Sequence, residues 1–199
     1  MIIVNGSRRN GNCYNLANRV KEELDKERIY CKIITPGNQK IHVCTGCMDC
    51  DKDGICDFTD DMKDNIEAIK NDDVIMFITP ARWNLLSGDL KIFMDRLNPM
   101  YARGELKNKK MIAVAIGCKK KDYCSIDDTI KSLTNFCESS KMQLILQKCF
   151  YECLKEDDIL KYEEEIKKLI SDIKDKIKQW FTHCFKFVAI PLPVWGWFE

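Results

Sequence analysis

The chain has 199 residues, 32 Lys plus Arg against 31 Asp plus Glu, and 45% hydrophobic residues, a length and apolar share that suit one domain with a sizeable core. Balanced charge, with no basic stripe and no interleaved aromatics, excludes a nucleic-acid partner on electrostatic grounds. No apolar run approaches the roughly 18 residues that a transmembrane helix needs.

Met1–Asn5 is a short apolar run closed by Gly6 and reads as a buried strand. Leu16, Ala17, Val20 and Leu24 recur at helical spacing, predicting a helix over 13–25. Tyr30–Thr35 reads as a second strand, stopped by Pro36-Gly37. A polar, cysteine-rich loop follows over 38–58, after which Thr59 or Asp60 is placed to cap a helix running to about Lys70. Asp73–Thr79 (DVIMFIT) is almost unbroken apolar sequence, as a central parallel strand should be, and Pro80 ends it. Ser87-Gly88 opens a helix with Leu90, Phe93, Met94 and Leu97 on one face. Lys110–Ile116 is a fourth strand closed by Gly117, Asp127–Ser140 a helix, and Met142–Cys149 a fifth strand. The 3.6-type period of Ile159, Leu160, Ile166, Leu169, Ile170, Ile173 and Ile177 predicts one long helix from about Glu156 to Phe181.

Strict alternation of strand and helix implies an α/β fold: a doubly wound, five-stranded parallel sheet in the order 2-1-3-4-5, with helices on both faces. Ligands then bind at the C-terminal strand ends, at the switch point. One domain would span 1–180 and carry the Cys-rich loop at 41–58; an aromatic tail, 181–199, would follow. Pro191 and Pro193 prevent a regular helix in that tail. Its apolar surface should dock on its own domain or on a neighbouring protomer. A membrane surface is the lesser alternative, kept open by the Lys-bearing helix before it.

The start, Met1-Ile2-Ile3-Val4-Asn5, has neither the basic residues nor the apolar stretch of a signal peptide, which points to the cytoplasm. Thiols stay reduced there, so the 12 cysteines report metal or redox chemistry where they cluster. His42 and His183 are the only histidines, and with no Ser or Cys nucleophile partnered to them a hydrolase triad is not expected. No catalytic side chain is assigned.

Between the first strand and its helix lies GSRRNGNCYNLA, residues 6–17. A helix N-terminus offers unpaired N–H groups and partial positive charge, the setting for a phosphate. Gly6 and Gly11 would let backbone approach the ligand, Ser7, Asn12 and Asn15 would donate, and Arg8 or Arg9 would add charge. The loop lacks the Gly-Lys-Ser/Thr ending of a Walker loop and is not GxGxxG. The same letters also describe a polar turn with an Asn cap.

The pattern Gly6-Ser7-x-Arg9-x-Gly11-Asn12 with Cys13, Asn15, Leu16 and Ala17 resembles the phosphate loop of the NAD(P)H-dependent FMN reductase family, of flavodoxin-like fold. Pro80-Ala81-Arg82-Trp83-Asn84 and the following Ser87-Gly88-x-Leu90-Lys91-x-Phe93-x-Asp95-Arg96 resemble the family's segment after strand three. The resemblance implies that the 80–84 backbone contacts the isoalloxazine ring of FMN, that the next helix packs at a dimer interface, and that Gly117-Cys118 forms a third flavin loop. Relatives often carry a Val-Tyr pair where Ala81-Arg82 stand. Arg82 is then either a charge near the flavin N1–C2 region or a surface arginine.

Cys44, Cys47, Cys50 and Cys56 form C-x2-C-x2-C-x5-C, a spacing that suits an iron–sulfur cluster better than zinc. Free thiols or a redox-active pair are the competing readings. The cysteines and the following Asp60-Asp61-Met62 resemble the iron–sulfur flavoprotein branch of the family, which implies a [4Fe–4S] cluster. It also implies a homodimer or homotetramer, a ferredoxin-like or NAD(P)H electron donor, and a small-molecule acceptor. His42 either neighbours that cluster or is a solvated loop residue. The expected activity is that of an FMN-dependent oxidoreductase or electron carrier. A cluster-free NAD(P)H-dependent FMN, quinone or nitro reductase, or a non-catalytic flavin- or metal-binding regulator, are the alternatives.

Overall fold

The computed structural model describes residues 1–121 and 126–186, the side chains of 181–186 excepted. The expectations for the tail beyond 186 and for the His183 side chain lie outside what is described.

The strands are β1 (Ile2–Asn5), β2 (Lys32–Ile34), β3 (Val74–Pro80), β4 (Lys110–Ile116) and β5 (Gln143–Phe150). They form one sheet in the order β2-β1-β3-β4-β5, parallel throughout, as the alternating pattern predicts. The helices are α1 (Asn12–Asp25), α2 (Cys50–Asp53), α3 (Met62–Lys70), α4 (Gly88–Asp95), α5 (Asn98–Ala102), α6 (Ile126–Ser139) and α7 (Glu163–Lys186).

Each central strand divides its side chains between two cores. Ile3, Met76, Ile78, Ile112 and Val114 face Leu16, Val20 and Leu24 of α1 and Ile166, Ile170, Ile173 and Ile177 of α7. Ile2, Val4, Ile75, Phe77 and Met111 face Met62 and Ile69 of α3, Leu90 and Phe93 of α4, and Leu133 of α6. Because both faces are covered, β3 reads as a continuous apolar run. Full burial of each such side chain is worth roughly 1.5–3 kcal/mol, so the centre of the sheet is the rigid platform for the loops at its C-terminal edge.

The departures from expectation are local. β2 is shorter than predicted, with Tyr30 exposed. The cysteine segment is not all loop, since α2 occupies Cys50–Asp53. Asp61, not Thr59 or Asp60, stands at the α3 N-cap position, and it makes no side-chain cap. Its carboxylate accepts Lys40 N–H instead, while Asp60 turns toward a buried arginine. The predicted helix from about Glu156 begins as a 3-10 turn, Asp158–Tyr162, because the Ile159 N–H is taken by Asn12 Oδ1 and Lys155 N–H by Asp158 Oδ2. The α-helix proper starts at Glu163 and continues past Phe181 to Lys186.

Candidate functional site

Two cavities hold the predicted site residues. The first, about 290 Å³, lies at the C-terminal strand ends. Ser7, Arg9, Gly11, Asn12 and Cys13 meet Pro80, Ala81 and Arg82 from the end of β3 and Cys118 from beyond β4. Residues 153–156 close its outer side, a wall that no sequence motif announces.

Gly6 serves packing rather than ligand. A Cβ there would sit 3.0 Å from both the Ile78 carbonyl and Ser87 Oγ. The Gly6 N–H donates to Ile78 O at 2.7 Å and its carbonyl accepts Ser87 Oγ–H at 2.6 Å, binding the loop to β3 and to the cap of α4. Gly11 occupies the N-cap position of α1 and supplies no side-chain cap, and Gly11, Asn12 and Cys13 at that helix start line the cavity.

The asparagines do something other than expected. Asn12 Nδ2 donates to the carbonyls of Cys153 and Lys155, at 3.2 and 2.6 Å, and its Oδ1 accepts Ile159 N–H at 2.8 Å. Asn15 Nδ2 donates to Glu156 O. Both amides hold the 153–159 segment against α1, so they shape the cavity instead of reaching into it. Arg8 is paired with Asp89, leaving Arg9 and Arg82 as the arginines that line the cavity.

Other predicted residues fall outside it. Leu16 is fully buried in the α1 core. Gly117 spends its N–H on Phe150 O and its carbonyl on Cys153 N–H. Trp83 and Asn84, with φ of 50° and 65°, form the tip of a tight hairpin closed by Arg82 and Leu85, and Trp83 is 98% exposed. Cys13 does line the cavity, but burial pushes its thiol up to about 12 despite Arg82 and Arg9 nearby, so it is inert at neutral pH.

The second cavity, about 390 Å³, is lined by all four loop cysteines: Cys44, Cys47, Cys50 and Cys56. The chain wraps around it by left-handed residues at Gly46, Met48 and Gly54, with φ of 70°, 65° and 72°. The left-handed φ favours glycine at 54, and a Cβ there would lie 2.1 Å from Cδ of the flexible Arg103 side chain, which would have to move.

Arg96, at the end of α4, latches this loop. Its guanidinium donates to the His42 carbonyl at 2.9 Å, before the cysteines, and to both Asp60 oxygens at 2.6 and 3.1 Å, after them. It also lies over the Phe58 ring, on which His42 stacks. Side chains of Arg96 and Asp60 are only 2% and 1% exposed. Burial pushes the Asp60 carboxyl up, but the Arg96 guanidinium and the N–H groups of His42 and Met62 outweigh it and hold it well below the usual carboxylate range. Burial likewise draws Arg96 down, while Asp60 and the neighbouring Cys56 raise it further. Arg96 Nε is buried with no hydrogen-bond partner among the described residues, and such a donor costs about 1–3 kcal/mol. Asn98 Nδ2 meanwhile donates to Cys50 Sγ at 3.1 Å. Sequence reasoning placed Asp95-Arg96 in a motif but gave them no link to the cysteines; nothing in one sequence signals a contact across 36 positions.

A donor-rich, four-thiol cavity with an unused buried N–H fits an anionic sulfur-ligated group. The first cavity, with its uncapped helix N-terminus and two arginines, fits a phosphorylated cofactor.

Residues 1–150 match the family model described as NADPH-dependent FMN reductase. An iron-sulfur flavoprotein of Methanocaldococcus jannaschii is 29% identical over 137 residues, covering 68% of this chain and 70% of that protein. One of Archaeoglobus fulgidus is 27% identical over 107 residues, covering 54% of this chain and 49% of the relative. Among solved structures, two-electron reduced Megasphaera elsdenii flavodoxin aligns with a TM-score of 0.55 at 14% identity, over 86% of this chain and 97% of its own, which establishes the shared fold. No helix among the described residues is long and apolar enough to cross a membrane.

Proposed function

The chain belongs to the NADPH-dependent FMN reductase family and is an FMN-dependent oxidoreductase; we propose that it couples the flavin to a [4Fe–4S] cluster held by Cys44, Cys47, Cys50 and Cys56. The observation that carries this reading is that all four cysteines line one cavity, which is also lined by Arg96 with its buried, unpartnered Nε–H. The names of the two relatives point the same way.

When bound, FMN supplies hydride and single-electron chemistry and the cluster single electrons. The chain's own part is binding and shielding. The uncapped N–H groups of α1 hold the phosphate, and Arg9 and Arg82 neutralise it. Pro80 and Ala81 line the same cavity and would contact the flavin ring. Asn12 and Asn15 keep the 153–156 wall closed against water. The four cysteines act as deprotonated ligands, and the Arg96 charge offsets part of their negative charge.

Val43, Met48 and Ile55, on the cysteine loop, are 59%, 58% and 64% exposed. These apolar groups around the cluster cavity support a homodimer or homotetramer that covers them. NADPH, or a ferredoxin-like protein acting through the cluster, is the proposed donor.

Anaerobic purification with flavin, iron and acid-labile sulfide analysis tests the reading. About one FMN and about four irons with four sulfides per chain are expected. A second reading has one specific support: Cys47, Asp49 and Asp57 offer ligand atoms within 4.8 Å of one another, a mixed site suited to a single divalent ion. One zinc without sulfide would establish that alternative and remove the cluster.

A further inference from the structure

The end of α4 and the start of α5, residues 96–98, send two side-chain donors to the cysteine cavity. Asn98 Nδ2 donates to Cys50 Sγ at 3.1 Å and to Asp51 Oδ1 at 2.9 Å. Arg96 lines the same cavity, interacts with Cys56, and keeps a buried Nε–H with no partner among the described residues. Between them Leu97 is buried in the core formed by α3, α4 and the sheet, and Pro99 stiffens the first turn of α5. The backbone that carries both donors is therefore fixed by packing, and their side chains reach from it to the loop that carries the cysteines.

We propose that Asn98 and Arg96 are positioning residues that set the reduction potential of the group bound by the four cysteines, through an Asn98 hydrogen bond to the Cys50 sulfur and an Arg96 Nε–H hydrogen bond to sulfur on the Cys56 side. The inference rests on the cluster reading above. Its physics is simple. Gaining an electron makes the cluster and its thiolates more negative, and donors or fixed positive charge aimed at sulfur stabilise that state more than the oxidised one. The two residues thus raise the potential. They also divide the labour: Asn98 contributes a neutral hydrogen bond, while Arg96 contributes charge, a hydrogen bond and the latch to Asp60.

EPR-monitored redox titration of the anaerobically purified, full-length protein reads this directly. Asn98→Ala removes one N–H···S bond and should move the cluster midpoint to more negative potential with iron content retained. Asn98→Asp places a carboxylate at the same sulfur and should move it further in that direction. Arg96→Lys keeps a charge for Asp60 but loses the Nε donor, and should also shift it negative. The FMN midpoint is the internal reference, because neither residue lines the flavin cavity. Midpoints identical to the parent in cluster-loaded Asn98→Ala and Asn98→Asp proteins overturn the inference and leave the cluster reading standing. So does a fall in iron content with an unchanged midpoint in the clusters that remain, which marks a merely structural role. A parent protein without iron and sulfide overturns both.

Discussion

The two cavities are built in opposite ways. The flavin side is made by the scaffold: strand ends β1, β3 and β4 border it, the start of α1 supplies donors, and residues from several separate segments line it. The cysteine side is made by a loop, irregular apart from the four residues of α2, and one buried arginine joins the two ends of that loop to the folded body. A site drawn from several segments of the scaffold distributes its dependence over many weak contacts. A site closed by a single latch concentrates it, and that asymmetry predicts how each responds to the loss of one side chain.

The largest effect should come from the latch. Asp60→Asn keeps the shape but leaves the Arg96 charge without its counter-ion in a site almost closed to water. Breaking one partner of such a buried pair costs about 3–5 kcal/mol. Since the folded carboxyl lies below its unfolded value of about 3.9, its contribution is fully present above that pH and is lost as pH falls through the folded value. Denaturant midpoints of parent and Asp60→Asn should therefore differ by a constant amount from about pH 5 to 7 and converge only at stronger acidity. A gap that closes already at pH 5 to 6 would mean that Asp60 is not held ionised by Arg96.

The next effect belongs to the flavin side and is indirect. Asn12→Ala removes three hydrogen bonds to the 153–159 segment, yet takes nothing from the helix N–H groups. The wall loosens and the cavity opens. FMN affinity, read by quenching of flavin fluorescence, should fall about tenfold, equivalent to about 1.4 kcal/mol, while iron content stays at the parent level. If Asn12→Ala instead released the cluster, the two cavities would not be the independent units drawn here.

The contrast also explains which features were legible in the sequence. The β1–α1 loop could be read because a strand followed by a polar turn and an amphipathic helix is a local pattern, and the order of five strands followed from alternation alone. The cysteines could be read because their spacing is local too. The roles of Asn12, Asn15 and Arg96 could not. Asn12 looks like a phosphate donor until residues 153–159 are seen to lie 141 to 147 positions away and yet within its reach. The 3-10 turn at Asp158–Tyr162 follows from the same tether, so periodicity alone drew the helix too early. Asp60 does accept the Met62 N–H at the start of α3, as a cap would, but its other partner, Arg96, is 36 positions along the chain. Each misreading is a long-range side-chain contact overriding a correct local rule.

The smallest effect sharpens the boundary of the flavin side. Trp83 belongs to a motif that the family resemblance ties to the isoalloxazine ring, yet it stands almost wholly in solvent at the tip of the 82–85 hairpin. Asn tolerates the left-handed backbone that residue 83 adopts. Trp83→Asn should therefore change stability by no more than about 0.5 kcal/mol, as surface substitutions do. If the cavity ends at Arg82, FMN affinity should also shift by less than about twofold, which is under 0.5 kcal/mol. A tenfold loss of FMN with unchanged stability would mean that the hairpin closes over the ring when the cofactor binds. The flavin side would then share the dependence on one side chain that now distinguishes the cysteine side from it.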